Sequence, residues 1–504
     1  MADSVWGIVA ANGADRTIGA PGRGWLDGAG LASLVEEVRG TLNGVGIGRG
    51  DRVAIVMPNG PEMAACFLAV AACCAACPLN PGYKLEEFEF YLGDLKPRAL
   101  IVMDDEEGEA STAAFRLGIP VIELSARDGP AGVFTLNAGR LPHAVAARPG
   151  PAEGADIALI LHTSGTTARP KIVPLTGANL AASARHIATA LALTPSDVCL
   201  NVMPLFHIHG LIAAVLSSLH AGAAVSCTSG FNAFRFGEWL GVVRPSWYTA
   251  VPTMHQAILM RMRGKAEARA AGLRLVRSSS ASLPPQVMAE LEAVFGAPVI
   301  EAYGMTEAAH QMASNPLPPR ARKPGSVGVA AGPEIGIMGE ASVLVAQGAV
   351  GEVVIRGPNV TAGYEANPEA NAGAFTDGWF RTGDQGRLDE GGYLFLTGRL
   401  KEQINRGGEK ISPLEIDVVL LDHPAIAQVV TFGIPHDKLG EEVGAVVVLR
   451  SGQEATEQDI RDFAATRLAA YKVPRRVVIM YHLPKGATGK VQRVGLAKKL
   501  GLVS

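Results

Sequence analysis

Short apolar runs of strand length alternate with longer amphipathic stretches through the first part of the chain. This alternation is typical of units in which a helix connects two neighbouring β-strands. The predicted strands lie at 52–58, 99–103, 157–161, 223–227, 247–251 and 275–278, and the predicted helices at 62–76, 176–191 and 286–295. Because such units build parallel sheets covered by helices, the pattern predicts an α/β fold with stacked, mainly parallel sheets.

The pattern changes from about Gly325 onward. Glycine-bounded runs at 341–346, 351–357 and 392–398 predict a small antiparallel or β-barrel-like subdomain over about 325–400. After Arg399 the alternation resumes on a smaller scale, which indicates a small α+β unit. Its predicted elements are a helix at 412–421 with Ser412 as N-cap and Pro413 in the first turn, strands at 426–432 and 443–449, and a helix at 457–469.

The length of 504 residues is too great for one domain. We expect an N-terminal domain at 1–400 and a C-terminal domain at 401–504, with the boundary between Leu400 and Lys401. A hydrophobic fraction of 48% with 18% charged residues predicts a packed core and not disorder. A formal net charge of −3 offers no electrostatic basis for a nucleic-acid partner.

The longest apolar stretch, at 63–79, is rich in alanine and cysteine, which favours a buried helix over a membrane span. Four of the six cysteines lie there, at 66, 73, 74 and 77. The spacing Cys74-x-x-Cys77 has no matching cysteine or histidine pair at zinc-ligand spacing, so buried, reduced thiols are predicted. Reduced thiols, with no basic and apolar leader at the N-terminus, predict a cytoplasmic protein.

A loop crowded with hydroxyl groups follows the predicted strand at 157–161 and ends in Lys171. Backbone N–H groups, hydroxyls and a lysine suit a polyphosphate, and Gly165 permits close approach. The loop is not a Walker A motif, since no Gly-Lys-Ser/Thr ends it. A polar turn leading into the helix that Thr176 caps is the structural alternative.

Five further clusters carry residue types suited to chemistry, although each alone also fits a turn, a packed core or a solvated face. They are His207 and His209 within 204–210, Tyr303 to Glu307, Asp384 at the end of 379–384, Arg399 and Lys401 leading into 405–410, and a glycine-rich loop at 484–490 that ends in Lys490. Their occurrence together, in this order, is much more specific than any one of them.

The set resembles the adenylate-forming superfamily of acyl-CoA synthetases, luciferases and peptide-synthetase adenylation domains over essentially the whole chain. Ala168 and Ile172 depart from the usual glycines of the phosphate loop but remove no donor side chain. The resemblance implies that a carboxylate attacks the α-phosphate of ATP with Mg²⁺ present, giving an acyl-adenylate. The thiol of coenzyme A then displaces AMP, and a mobile C-terminal domain rotates between these half-reactions.

The resemblance also implies roles for individual residues. The phosphate loop would comprise Thr163, Ser164, Gly165, Thr166, Thr167 and Lys171. Tyr303 would stack on adenine, and Asp384 and Arg399 would bind the ribose. Thr306 and Glu307 would bind the α-phosphate and Mg²⁺, Thr163 would be a further metal ligand, and Lys490 would clamp the reacting oxygens. Lys401 would be the hinge, and Gly407 and Gly408 would line the pantetheine tunnel. Lys490, Thr306, Glu307 and His207 would be the catalytic residues.

The residues after Glu307 bear on the acid that is activated. His310 and Gln311 are poor walls for an alkyl chain and suit a small acid with a second polar or anionic end, and Ser278–Ser282 adds hydroxyls. The segments at 301–312, 405–415 and 81–91 resemble the oxalate–CoA ligase branch of plants and fungi. That resemblance implies oxalate held by Ser280, His207 and His310, whereas His209 is expected to be a packed or hydrogen-bonded core histidine.

Three alternatives stay open: a ligase for another short, medium-chain or aromatic acid, a luciferase-like oxygenase, and a non-catalytic nucleotide-binding relative. The last is disfavoured because Glu307, Asp384 and Lys490 are all present, and a peptide-synthetase module because no carrier domain follows Ser504. The expected partners are a small carboxylate, ATP and coenzyme A, with neither nucleic acid nor a membrane span, in a monomer or homodimer.

Overall fold

The computed structural model describes residues 3–104, 108–163, 170–483 and 493–502. The strands in these ranges are β1 (Ile18–Gly19), β2 (Arg52–Val56), β3 (Ala75–Pro78), β4 (Ala99–Met103), β5 (Val121–Ala126), β6 (Phe134–Asn137), β7 (Ile157–Thr163), β8 (Lys171–Thr176), β9 (Val198–Asn201), β10 (Ala224–Cys227), β11 (Trp247–Ala250), β12 (Leu275–Ser278), β13 (Val299–Met305), β14 (His310–Ser314), β15 (Val329–Ala330), β16 (Glu334–Met338), β17 (Gly351–Arg356), β18 (Phe375–Thr376), β19 (Trp379–Leu388), β20 (Leu394–Arg399), β21 (Ile404–Arg406), β22 (Glu409–Ile411), β23 (Ile426–His436), β24 (Gly440–Leu449) and β25 (Arg476–Ile479).

The α-helices in the same ranges are α1 (Val5–Ala10), α2 (Gly28–Gly44), α3 (Pro61–Ala71), α4 (Leu85–Leu95), α5 (Glu109–Arg116), α6 (Gly177–Ala190), α7 (Ser217–His220), α8 (Phe236–Val243), α9 (Pro252–Met262), α10 (Ala266–Ala270), α11 (Pro285–Phe295), α12 (Pro368–Ala372), α13 (Pro413–Leu421), α14 (Glu457–Ala465) and α15 (Leu496–Lys499). A π-helix spans His209–Leu216, and short 3-10 helices span Thr306–Ala308, Leu400–Glu402 and Ala470–Lys472.

Two large sheets confirm the predicted α/β architecture. Sheet A has the strand order β1-β10-β9-β11-β12-β13-β14-β15 and is parallel up to β13, after which β14 and β15 run antiparallel. Sheet B has the order β6-β5-β4-β2-β3-β7-β8, with antiparallel strands only at its two edges. The parallel strands are joined by crossover helices, as this topology requires.

Helix α3 lies between the two sheets, with contacts to β1 and β10 of sheet A and to β3 and β7 of sheet B. Every residue from Met63 to Ala71 is buried, which explains why this stretch is apolar on all sides. The predicted helix at 62–76 is therefore too long, because the chain turns after Ala71 and enters strand β3 at Ala75. Of the helices in the described ranges, none has the length and apolarity needed to cross a membrane.

Sheet C is antiparallel, with the order β16-β17-β19-β18 and β20 paired to β19. It confirms the predicted β-rich region, but the strand predicted at 341–346 is wrong. Ser342 adopts a left-handed φ of 57°, Val343 and Leu344 are 60% and 50% exposed, and this segment pairs only through an isolated bridge from Leu344 to Met338. Apolar residues in a turn produced the misleading pattern.

Sheet D forms the small C-terminal unit, with the order β22-β21-β24-β23 and β25 paired in parallel to β24. The predicted cap of α13 is present, because Ser412 Oγ accepts from the backbone N–H of Glu415 and Pro413 follows. The 3-10 helix Leu400–Glu402 separates the last strand of sheet C from the first strand of sheet D. The domain boundary beside Lys401 remains a prediction.

Candidate active site

The predicted phosphate loop connects two antiparallel strands. Strands β7 and β8 pair along their length, and Thr163 is the register partner of Lys171. Strand β8 differs from the prediction, which has a loop leading directly into a helix. It is an edge strand, where Pro174 is tolerated. Thr176 then caps helix α6 as expected, whereas Ser164, Gly165, Thr166 and Thr167 lie outside the described residues.

A second group, here called the carboxylate cluster, combines Tyr303, Glu307, Tyr364, Asp384 and Arg399. The Tyr303 hydroxyl donates to Asp384 Oδ2, and Arg399 Nε lies 3.2 Å from Asp384 Oδ1. Asp384 and Arg399 are cross-strand partners on β19 and β20, so sheet C fixes their separation. The predicted adenine-stacking tyrosine thus lies beside the two predicted ribose ligands.

Glu307 lies in the 3-10 helix between β13 and β14 and is 6% exposed. Its Oε1 accepts from the Tyr364 hydroxyl at 2.9 Å, and the Lys171 ammonium lies 4.2 Å from the centre of the Tyr364 ring. Burial raises the pKa of the Glu307 carboxyl, against the opposing effects of the Tyr364 hydroxyl and the charges of Arg399 and Lys171. Tyr364 therefore links the predicted metal ligand to the predicted loop lysine.

The turn after Glu307 is held in an unusual conformation. Ala309 and His310 both have positive φ angles, of 47° and 98°. Gly304, on the paired strand, passes so close that a Cβ there would clash with the carbonyl oxygen of His310 and lie 2.8 Å from its Nδ1 atom. Such left-handed conformations at residues other than glycine are uncommon and concentrate at functional sites.

A third group, here called the histidine pocket, contains His209, Thr249, Arg277, Ser280, His310 and Gln311. His209 begins the π-helix and is fully buried. Its Nδ1 lies 3.0 Å from Ser280 Oγ, its Nε2 lies 2.6 Å from Thr249 Oγ1, and its ring meets the His310 ring edge to face at 4.9 Å. The hydroxyl of Ser280 and the ring of His310 are therefore brought together around His209.

The prediction that His209 is a buried, hydrogen-bonded histidine is confirmed, but its bonding partner Ser280 is a predicted substrate ligand. His207 is half-buried, and its Nδ1 accepts from the backbone N–H of His209 at 3.2 Å. The role predicted for His207 remains a prediction. Of the neighbouring hydroxyls, Ser278 and Ser279 are fully buried, while Ser280 is half-exposed in a left-handed conformation with φ of 73°.

Three of the four residues predicted in the C-terminal unit lie in or beside sheet D. Lys401 is an exposed residue of the 3-10 helix that precedes the sheet. Gly407 and Gly408, in the turn between β21 and β22, have φ angles of 60° and 94°. Lys490 lies outside the described residues, whereas Leu483 before it and Leu496 after it belong to one apolar cluster on sheet D.

Sequence reasoning missed three residues of these groups, Arg277, Thr249 and Tyr364, and it did not identify the hydrogen-bond partners of His209. Arg277 offered a usable signal, since it is a charged residue inside a run predicted to be a buried strand. Thr249 and Tyr364 offered none, because hydroxyl-bearing residues are common in strands and loops. Only the tertiary structure shows what they touch.

Comparison with known families matches most of the chain. The profile of the family described as "AMP-binding enzyme" covers residues 9–365, and the profile described as "AMP-binding enzyme C-terminal domain" covers residues 415–490. A probable CoA ligase, CCL9, of Humulus lupulus is 49% identical over 95% of this chain and 92% of its own length. An oxalate–CoA ligase of Arabidopsis thaliana is 47% identical over 95% and 94%, and one of Saccharomyces cerevisiae is 42% identical over 89% and 87%.

Among solved structures, ATP-bound MatB from Rhodopseudomonas palustris matches with a TM-score of 0.87 at 29% identity, covering 99% of both chains. The match extends over both the large sheets and the small C-terminal sheet. Because the first family profile spans most of the chain and the relatives align over nearly all of it, this chain belongs to the family of AMP-binding enzymes.

Proposed function

We propose that this chain is an ATP-dependent, AMP-forming acid–CoA ligase whose preferred acid is oxalate. The products would be oxalyl-CoA, AMP and diphosphate. The family membership and the ligase names of the similar proteins support the reaction class. Two of those relatives carry the name oxalate–CoA ligase, which supports the choice of acid.

The observation that carries the proposal is the histidine pocket beside Glu307. Only Ala308 and Ala309 separate Glu307 from His310 in the chain, so a group bound at the metal ligand lies near the pocket. Oxalate carries a second carboxylate directly on the reacting one. An apolar wall would leave that carboxylate unpaired at a cost of several kcal/mol, whereas hydrogen-bond donors from Ser280 and His310 remove the penalty.

In the first half-reaction, a carboxylate oxygen of the acid attacks the α-phosphorus of ATP, and diphosphate leaves. Both reactants are anionic, so positive groups must neutralise them and hold them in line. We assign the neutralisation and alignment to Lys171 and Lys490, and we propose that Thr306 binds the α-phosphate. Asp384, oriented by Tyr303 and Arg399, would accept the ribose hydroxyls.

Mg²⁺ would neutralise phosphate charge in this step. Within the described ranges, no group of three or more histidine, cysteine, aspartate or glutamate side chains forms a metal site. The ion is nevertheless usually held by one or two carboxylates together with nucleotide oxygens and water. The buried Glu307 carboxylate fits that requirement, with Thr163 at the end of β7 as the further proposed ligand.

In the second half-reaction, the sulfur of coenzyme A attacks the acyl carbonyl, and AMP leaves with the electron pair of the broken bond. We propose that the C-terminal unit turns about Lys401 between the half-reactions. Gly407 and Gly408 would then line the path of the thiol. We also propose a cytoplasmic location, because all six cysteines are unbridged, as is usual in a reducing compartment.

The substrate proposal is tested by pyrophosphate release across a panel of acids. Oxalate should be the best substrate, with malonate and acetate much poorer. Replacing His310 by alanine should lower kcat/KM for oxalate by roughly 10²-fold, the scale of a lost charged hydrogen bond, and leave the KM for ATP nearly unchanged. The donors that serve oxalate are left unsatisfied by an alkyl chain, so fatty acids should be rejected.

The matched control is His143→Ala, which removes an exposed histidine from the same large domain and should change neither constant. A preference for hexanoate or a cinnamate over oxalate would contradict the substrate proposal and leave the ligase class intact. Normal oxalate kinetics in the His310→Ala variant would show that this ring does not contact the acid. Light emission or oxygen uptake with any acid would instead favour a luciferase-like oxygenase.

Gly408→Leu should separate the two half-reactions. A side chain on the proposed thiol path should abolish consumption of coenzyme A, while acid-dependent exchange of pyrophosphate into ATP persists. Consumption of coenzyme A and exchange of pyrophosphate are both measured on one preparation of the variant and compared with the wild type.

Gly408 has a left-handed φ of 94°, so a leucine there also strains the backbone. Gly452→Leu is the matched control, because Gly452 lies in the same unit with φ of 75° and no other atom would lie within 4 Å of its Cβ. This control should retain both activities. Loss of exchange in Gly408→Leu alone would assign Gly408 a conformational role in place of a tunnel role.

A further inference from the structure

One member of the histidine pocket is a fully buried arginine that has no acidic partner among the described residues. Arg277 is 0% exposed, and its described bonds go to neutral acceptors, at 3.0 Å to Gln311 Oε1 and 3.4 Å to Thr249 Oγ1. Its Nε has no hydrogen-bond partner in the described part of the chain. Burial lowers the pKa of its guanidinium to about 9. So deep a charge is unfavourable unless an anion compensates it.

The guanidinium fixes the direction of the neighbouring hydrogen bonds. It can only donate, and its Nη1 lies 3.4 Å from His209 Nε2, so that ring nitrogen is an acceptor. His209 Nε2 therefore accepts the hydroxyl hydrogen of Thr249 at 2.6 Å. The proton of the neutral ring is then on Nδ1, which donates to Ser280 Oγ at 3.0 Å.

This chain of donors leads outward from the core. Arg277 and His209 are fully buried, whereas Ser280 is partly exposed. Because Ser280 Oγ accepts from His209, its own hydrogen is available to an acceptor on the other side. Hydrogen bonds linked in series polarise one another, so the buried charge strengthens that last donor. A carboxylate can accept such a bond, and an alkyl chain cannot.

We propose that Arg277 is a positioning residue that selects acids carrying a second anionic group, by orienting the Ser280 hydroxyl through Thr249 and His209. The inference rests on the proposed acid–CoA ligase function. It names the origin of the preference for a dianionic acid. Arg277 does not contact the acid in this proposal, so its effect is on the acid and not on the nucleotide.

The test compares Arg277→Met, which removes the charge at similar length, with Arg277→Lys, which keeps it. For each variant, kcat and KM are measured with oxalate, malonate, acetate and ATP. For whichever of oxalate and malonate is the better substrate, Arg277→Met should lower kcat/KM by roughly 10- to 100-fold, the scale of a lost hydrogen bond to a charged group. The values of kcat/KM for acetate and for ATP should change little. Arg277→Lys should recover part of that loss.

Thr249→Val interrupts the chain of donors while leaving the arginine in place, and it should produce the same selective loss if Arg277→Met does not fold. Arg269→Met, at an exposed arginine of helix α10, is the control and should change nothing. Equal losses for all acids and for ATP, or unchanged selectivity in both Arg277→Met and Thr249→Val, would overturn the proposal. Failure of the proposed substrate is seen separately, as a wild-type enzyme that prefers other acids to oxalate.

Discussion

A single methyl group at Gly304 should lower kcat/KM for oxalate by roughly 10²-fold or more. The Cβ of Gly304→Ala would clash with the backbone of His310, so strands β13 and β14 cannot keep their register at this point. Glu307 lies between those strands and His310 is the first residue of β14, so both would move. A displacement of about 1 Å at a reacting group is enough to cost about 10²-fold in rate.

Steady-state kinetics and thermal unfolding, measured together, check this prediction. Overpacking typically destabilises by about 1–3 kcal/mol, so the melting temperature should also fall. Gly241→Ala is the matched control, because Gly241 lies in helix α8 and a Cβ there meets no atom within 4 Å. Wild-type kinetics in Gly304→Ala would show that the close approach to His310 has no part in the site.

Lys490→Ala should reduce adenylate formation by roughly 10²- to 10³-fold, the usual effect of removing one group that stabilises charge in a transition state. The variant should still convert supplied acyl-AMP and coenzyme A into the thioester, because the thiol attacks the acyl carbonyl carbon in that step and no new bond to phosphorus forms. Each half-reaction is measured separately, with ATP and acid in one assay and synthetic acyl-AMP in the other.

The structure supplies a control for this variant. Lys498 is an exposed lysine of the nearby helix α15, and Lys498→Ala should leave both half-reactions unchanged. Arg493 anchors the chain shortly after Lys490 by donating to Asp417 Oδ2 at 2.6 Å and to the Thr431 carbonyl at 2.8 Å. Equal loss of both half-reactions in Lys490→Ala would point to damage of this anchored unit and against a role confined to adenylation.

Hydrophobic periodicity was sufficient to predict the α/β class and several central strands of sheets A to D, because those strands have one consistent buried face or are buried throughout. It missed more than half of the strands of these sheets, among them β3, β5, β9 and β13. It failed where burial is complete on every side. From Met63 to Leu79 the chain is a buried helix followed by a buried strand, and no polar residue marks the change. It failed again at Val343, where apolar residues lie in an exposed turn.

The candidate site could be predicted only where its functional residues are close together in the sequence. The sequence from Tyr303 to His310 contains both the predicted metal ligand and a predicted acid ligand, and the structure places them in the 3-10 helix and at the start of the strand that follows it. The donor chain could not be derived in this way. His209, Thr249 and Arg277 lie on separate segments, and sheet A together with the π-helix brings them into contact. Their hydrogen-bond directions follow from that contact alone.

The six cysteines have a practical consequence for measurement. All of them are buried and unbridged, and burial raises the pKa of the thiols of Cys66, Cys77, Cys199 and Cys227. A colorimetric thiol reagent reacts with accessible thiolates, so with the native enzyme it should react with the thiol of coenzyme A and not with the buried cysteines of the protein. Consumption of the coenzyme can therefore be followed without a protein blank, and a slow rise in titratable thiol would report unfolding in the same cuvette.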